Sequence, residues 1–342
     1  MKKILVILTG GTICSYENID GERTADAESV KYKIISNFRN STSPFKNAEF
    51  DFLMPLDILS ENMTTKTWNA LLDVFRGKSF DEYKGIIILH GTDTLAYTSS
   101  MLSMMLTHLQ VPVVLVSSQL PIDRKDANGN ANFRAGVELI MNGLKPNVYA
   151  VYRNSDSIMY LHYGSHLLQC ENYSDDFFSP DAMKITDTEN AHLEGKSFQT
   201  KNNILSELKE LSPCVISITP YVGINYDNFS LENIRAVIHG TYHTQAVCVE
   251  RSKKQGPFTS FSILSFLERC KENDVDLFLC PCDENAFSYE STGDALHHGC
   301  LTISGMTKEV SYIKTLIGCS LGLKGKELSD FINSEINFEK IY

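Results

Sequence analysis

The feature that most limits what this chain can become is a set of short apolar runs with almost no alternation. Residues 3–8 (KILVIL), 85–90 (GIIILH), 111–118 (VPVVLVSS), 147–153 (NVYAVYR), 214–220 (CVISITP), 235–240 (RAVIHG) and 275–282 (VDLFLCPC) have strand length and are apolar at most positions. A strand with one wet face alternates apolar and polar residues. Runs like these belong to strands covered on both sides, as in parallel sheets. Between them lie segments with helical spacing. Trp68, Leu71, Leu72 and Phe75 fall on one stripe of 65–77, and 95–109, 131–144, 258–273, 307–321 and 325–336 are patterned similarly. Strand then helix, repeated, predicts an α/β fold with helices on both sheet faces. The 342 residues suffice for two such units, and the polar, charged stretch 184–212 separates them. We expect an N-terminal α/β domain over 1–185, a linker over 186–212 and a C-terminal α/β domain over 213–342.

Composition narrows the function classes. A net charge of -11 with no Lys/Arg-rich run argues against a nucleic-acid partner. No apolar run approaches the roughly 18–20 residues that span a bilayer, so no membrane partner is expected. Met1-Lys2-Lys3 before ILVIL superficially resembles a signal peptide, but Thr9-Gly10-Gly11-Thr12 stops the apolar stretch, which reads as a first buried strand. Nine scattered cysteines, an odd number and several inside apolar runs, point to a reducing cytoplasm rather than a disulfide framework. Cys280-Pro281-Cys282 lacks the two-residue spacer of a zinc or redox pair.

Open parallel sheets bind ligands at the carboxyl ends of their strands. Two loops there are small and polar: Thr9-Gly10-Gly11-Thr12-Ile13 after the first strand, and Gly91-Thr92-Asp93-Thr94 after 85–90. The first lacks the G-x-G-x-x-G spacing of a dinucleotide loop and the Lys-Ser/Thr of a phosphate loop. Its glycines allow close backbone approach, and Thr12 presents a hydroxyl. The second has two readings. Thr92, Asp93 or Thr94 would cap a helix starting near Leu95, or a hydroxyl and a carboxylate are held out for chemistry. Two threonines on neighbouring strand ends beside a carboxylate suit acyl transfer on an amide, with backbone N–H groups of the glycine-rich loops holding the oxyanion.

Together these residues resemble the bacterial-type L-asparaginases, closest to the cytosolic type I branch. That family pairs a T-G-G-T-I loop with an H-G-T-D-T loop, here Thr9 to Ile13 and His90 to Thr94. The likeness continues in Ser60-Glu61-Asn62-Met63, Ser118-Gln119-Leu120-Pro121 and Ser304-Gly305-Met306-Thr307-Lys308-Glu309. It implies a larger N-terminal and a smaller C-terminal α/β domain, assembled as a homodimer or homotetramer in the cytoplasm. It implies hydrolysis of L-asparagine to L-aspartate and ammonia, with no metal or organic cofactor. By the same resemblance Thr12 is the nucleophile, Thr92 and Asp93 form the second polar unit, and Asp93 also grips the substrate's α-amino group. Gly11, Ser60, Glu61 and the Ser118 carbonyl are substrate contacts.

The pattern breaks at one important place. The family activates its Thr-Asp unit with a lysine, five residues after a glycine and ten before Ser-Pro. Here Gly164 and Ser179-Pro180 keep that frame, and the lysine position is Gln169. Glutamine hydrogen-bonds but carries no charge. His162 and His166 are the nearby alternative bases. The lid region is Ser15-Tyr16 to Glu22, with Glu22 near the usual tyrosine position, and Asn128-Gly129 replaces an acidic residue before glycine. The loop that reaches the neighbouring protomer's site in the family becomes Gly240-Thr241-Tyr242-His243-Thr244-Gln245. Three functions stay open: an asparaginase; an asparaginase-fold protein that binds an amino acid or small amide with little turnover; and an amidase for another amide such as glutamine. The last includes the amidotransferase component that makes ammonia for tRNA amidation, whose extra N-terminal domain is absent from this sequence.

Overall fold

In the computed structural model, residues 3–17, 23–25, 27–185, 193, 195–199, 202–254, 256–283 and 289–341 are described. They form two compact units, Met1–Glu207 with Ile336–Glu339, and Leu208–Glu335 with Lys340–Tyr342.

The first unit runs β1 (Lys3–Leu8), β2 (Ser15–Glu17), β3 (Arg23–Ala25), α1 (Ala27–Arg39), β4 (Phe50–Leu53), α2 (Thr65–Asp73), β5 (Tyr83–Leu89), α3 (Leu95–Met105), β6 (Val113–Val116), α4 (Gly129–Met141), β7 (Val148–Arg153), β8 (Met159–Tyr163), β9 (Met183–Ile185) and α5 (Ile204–Glu207). Its seven-stranded sheet has the order β4-β1-β5-β6-β7-β8-β9. The first five of these strands are parallel, whereas β8 and β9 add antiparallel at one edge. The four central strands are the apolar runs of the sequence, and they are buried on both faces as that pattern requires. On one face Leu8, Leu89, Val116 and Val151 pack with Val30, Ile34 and Phe38 of α1 and with Phe133, Val137 and Ile140 of α4. Helix α2 begins where the sequence places a reciprocal cap, Thr64 and Thr67 each bonding the other's backbone N–H.

The second unit holds β10 (Val215–Ile218), β11 (Ala236–Gly240), α6 (Ile263–Glu272), β12 (Asp276–Cys280), α7 (Glu290–His297), β13 (Leu301–Thr302), α8 (Lys308–Ser320) and α9 (Gly325–Asn333). Its four strands are all parallel, in sequence order. Ile263, Phe266, Leu267 and Cys270 of α6 close its core against Val237, Leu277 and Leu279. The fold is therefore two α/β units, with the larger sheet in the N-terminal one.

The expected linker contains the short helix α5, and its residues 186–192, 194, 200 and 201 lie outside the described residues. Strand β4 reads FDFL, half-exposed at the sheet edge, and β13 has only two residues, so neither carries a buried run. No helix among the described residues is long and apolar enough to cross a membrane. All nine cysteines are free.

Candidate functional site

The site grows from the carboxyl ends of β1 and β5, neighbours in the first sheet. Thr9 leaves β1 pinned to β5, its N–H and hydroxyl both donating to the Leu89 carbonyl at 3.1 and 2.9 Å. Gly10 and Gly11 then take φ values of +102° and +78°, where a Cβ is disfavoured. Space forbids one as well: a Cβ on Gly11 would sit 2.3 Å from the Gly91 Cα, and one on Gly10 would sit 2.1 Å from the Ile58 carbonyl oxygen. Gly11 thus brings the first loop's backbone against the second, and Gly10 brings it against Ile58. Thr12, half-buried, opens a single 3₁₀ turn to Cys14, and its carbonyl accepts from the Ser15 hydroxyl at 2.9 Å.

Ser60 opens another 3₁₀ turn and ties the second loop down. Its buried hydroxyl donates to Asp93 Oδ2 at 3.1 Å and accepts from the Asp93 N–H at 3.2 Å. Its carbonyl accepts from the Thr94 hydroxyl at 2.9 Å. Glu61, next to it, is exposed. Asp93 is exposed and Thr92 half-buried, and both border a cleft of about 340 Å³ with Gln169, Cys170, Glu171, Asn172, Tyr173, Ser174 and Asp175. Burial and nearby carboxylates push the Cys170 thiol up to about 12, so it is no thiolate nucleophile at neutral pH.

The capping reading of the His90–Thr94 loop needs correction. Thr94 occupies the N-cap position of α3, yet its side chain makes no cap bond, because its hydroxyl is committed to Ser60. The cap comes from Gln169. The Gln169 Oε1 accepts from the Ala96 N–H at 3.3 Å, and its Nε2 donates to the Thr92 carbonyl at 2.9 Å. One neutral side chain clamps both sides of the helix start. A lysine there has donors only, and can make the second of these bonds but not the first.

The alternative bases are engaged elsewhere. His162 is buried, its Nδ1 sits 2.9 Å from the Ser179 hydroxyl, and burial lowers its pKa to about 4. His166 Nε2 meets the Phe338 carbonyl, and its Nδ1 lies 2.8 Å from Asp181. Neither lines the cleft. Ser118 follows β6, and its hydroxyl is held by the Leu120 carbonyl at 2.6 Å and the Gly129 N–H at 3.0 Å. No described hydrogen bond joins Ser118 to the two loops. Asn128 pairs with Gln119 and donates to the Arg153 carbonyl at 2.8 Å, bracing the loop after β6. Tyr16 is exposed on β2, while Glu22 lies outside the described residues. The structure thus brings Gly11, Ser60, Thr92, Asp93 and Gln169 into one connected cluster, with Thr12 on the adjoining turn.

One residue of the motif has a role that its sequence alone does not suggest. His90 is fully buried, and its Nδ1 lies 2.7 Å from the Gly91 carbonyl. The same His-Gly-Thr string recurs at 239–241. There the His239 Nδ1 is 2.6 Å from the Gly240 carbonyl, and its Nε2 is 2.8 Å from the Tyr226 hydroxyl. That recurrence is the available signal.

A double α/β scaffold with two threonine loops at adjacent ends of a parallel sheet defines the class of protein. Residues 3–200, more than half of the chain, match the family "Asparaginase, N-terminal". The chain belongs to the asparaginase family, and the enzymes of that superfamily share its fold. It is 34% identical over 158 residues to the L-asparaginase of Thermococcus kodakarensis, covering 46% of this chain and 45% of that protein. It is 27% identical over 246 residues to a glutamyl-tRNA(Gln) amidotransferase component of Methanococcus maripaludis, covering 68% and 57%. These alignments reach less than two thirds of either relative's length. Among solved structures, the thermostable L-asparaginase from Thermococcus kodakarensis aligns with a TM-score of 0.74, 22% identity and 99% coverage of both chains. L-asparaginase I from Vibrio cholerae aligns at 0.71 with 23% identity and the same coverage.

Proposed function

We propose that this chain hydrolyses the side-chain amide of L-asparagine, with Thr12 as nucleophile. The observation that carries this reading is the backbone contact of Gly11 with Gly91, which sets the Thr12 turn against the Thr92–Asp93 loop. The Thr12 hydroxyl attacks the amide carbon and ammonia leaves, giving an aspartyl ester on Thr12. Water then attacks that ester and frees L-aspartate. Backbone N–H groups of the two loops hold the oxyanion in each step. Thr92 and Asp93 form the polar unit that receives the nucleophile's proton, and Asp93 with Glu61 faces the substrate's ammonium. Gly11, Ser60 and the Ser118 carbonyl complete the substrate contacts. In this reading the working form is a cytoplasmic homodimer or homotetramer like those of the type I branch.

A second reading is favoured by one observation, the neutral Gln169 in the clamp. In that reading the site binds an amino acid or small amide and turns it over slowly. Glutamine is the leading alternative substrate, given the glutamyl-tRNA(Gln) amidotransferase components among the relatives. Ammonia release from L-asparagine and L-glutamine separates these readings. Ready turnover of asparagine that is lost in Thr12→Ala supports the first. Thermal stabilisation by L-aspartate with no ammonia from either amide supports the second.

A further inference from the structure

The two peptide planes flanking Thr92 are each pinned by a neutral side chain. Gln169 Nε2 holds the Thr92 carbonyl at 2.9 Å. His90 Nδ1 meets the Gly91 carbonyl at 2.7 Å, and because a carbonyl only accepts, the proton sits on Nδ1. The His90 Nε2 is therefore the bare acceptor. It is buried and without a hydrogen-bond partner among the described residues. Burial lowers the His90 pKa to about 4, so the ring is neutral near pH 7.

The Gly91–Thr92 peptide is trans. In a planar trans peptide the N–H points opposite to the C=O. With the Gly91 carbonyl turned inward to the buried imidazole, the Thr92 N–H points away from it. That N–H makes no hydrogen bond among the described residues, while Thr92 itself borders the cleft. The next peptide group is already spent, since the Asp93 N–H donates to Ser60.

We propose that His90 is a positioning residue: it turns the Gly91–Thr92 peptide so that the Thr92 N–H faces the cleft as the donor for the oxyanion. This rests on the amidohydrolase reading, and it assigns to a residue outside the cleft the direction of a group inside it. The imidazole does not touch substrate and transfers no proton.

The test compares His90→Asn with His90→Gln. The asparagine Nδ2 falls near the imidazole Nδ1 and can still donate to the Gly91 carbonyl, whereas the glutamine amide extends towards the Nε2 position. His90→Gln is expected to lower kcat at least about tenfold with KM little changed, because an oxyanion donor acts chiefly in the transition state. His90→Asn is expected to recover most of that loss. Equal kcat loss in both variants, a loss carried by KM, or no loss in His90→Gln overturns the proposal. In wild-type protein labelled with 15N-histidine, an Nε2–H tautomer for His90 overturns it without any variant. If the wild type releases no ammonia, the amidohydrolase reading fails separately. The Thr92 amide signal, assigned through Thr92→Ser, then decides. A shift on adding L-aspartate in wild type and His90→Asn but not in His90→Gln supports the proposal, and any other pattern overturns it.

Discussion

Substituting Gln169 separates what the clamp does for structure from what its lack of charge does for chemistry. Gln169→Lys keeps a donor for the Thr92 carbonyl and deletes the acceptor for the Ala96 N–H, since an ammonium accepts nothing. Ala96 is buried in the first turn of α3, so its N–H loses a partner that water cannot fully replace. Loss of a side-chain cap costs about 0.5–2 kcal/mol. The new ammonium enters a cleft bordered by Asp93, Glu171 and Asp175, but partly exposed pairs return only about 0–1 kcal/mol. The net expectation is a loss of roughly 1 kcal/mol, or a Tm lower by about 2–4 °C on the scale of larger domains. Gln169→Glu is the complement: it keeps the acceptor and sets a carboxylate oxygen against the Thr92 carbonyl, so it costs at least as much. Differential scanning fluorimetry and ammonia release are run on all three proteins. An unchanged Tm in both variants refutes the clamp. A silent wild type made active by Gln169→Lys refutes the proposed hydrolase, and returns the site to a binding role that a lysine converts.

Other expectations follow from the same geometry. Burial lowers the pKa of His90, His162 and His239 to about 4 each, below the ordinary value of 6.5. The unfolded chain therefore takes up protons first on acidification, so stability holds above about pH 6.5, falls between 6.5 and 4, and levels off below. Each group contributes about 3 kcal/mol to that fall, and urea midpoints at pH 7.5 and 4.5 should differ widely; equal midpoints contradict the buried neutral histidines. Gly11→Ala forces a side chain onto φ +78° and into the Gly91 backbone, so the two loops must separate; activity should vanish, and a crystal structure should show the Gly11–Gly91 contact broken. Ser60→Ala removes a hydroxyl that both donates to and accepts from Asp93, costing about 1–3 kcal/mol by chemical denaturation and weakening L-aspartate binding by calorimetry; an unchanged Kd argues against Asp93 as an ammonium contact.

What the sequence disclosed depends on how locally each feature is encoded. All seven apolar runs fold as strands, and six of them are buried along most of their length, whereas the edge strand β10 is only half-buried with Ser217 exposed. Strand β8 (MYLHY) and the three-residue β9 carry no such signature and turn antiparallel at the sheet edge. Helix α1, with a polar face and unremarkable mean hydropathy, is hidden for the same reason, although Val30, Ile34 and Phe38 at helical spacing are its buried stripe. In the site, the two threonine loops are legible as motifs. Their contact through Gly11 and Gly91 is legible only as a need for small residues. The cap on α3 is not legible at all. Three capping residue types stand directly before the helix, yet the cap comes from Gln169, 73 positions away. Capping propensity is a statement about available neighbours, and a Ser60 carbonyl that takes the Thr94 hydroxyl first overrides it.

The pins on the Thr92–Asp93 loop have a common character with a chemical consequence. Ser60, His90 and Gln169 are all neutral near pH 7, His90 because burial keeps it so. None of these three pins changes charge near pH 7. A lysine in the clamp would make geometry and charge inseparable: the group that holds the loop would also supply the field that eases deprotonation of a threonine. Here the two are separated. Backbone position is fixed by hydrogen bonds, and the carboxylate of Asp93 is the loop's one charge. Under the proposed mechanism the proton from Thr12 must therefore pass to Asp93 directly or through Thr92, with no cation in the Gln169 clamp to lower the cost. That places the burden of catalysis on the oxyanion donors, whose action needs no titrating group. The pH–rate profile carries the consequence. A site activated by an ammonium's field loses activity in base, as that ammonium gives up its proton. This site, with the neutral Gln169 in the clamp, should show no such alkaline limb and run flat through neutral pH. An acid limb near 7–8 in the wild type would mean that another base serves Thr92, and would refute the separation of geometry from charge.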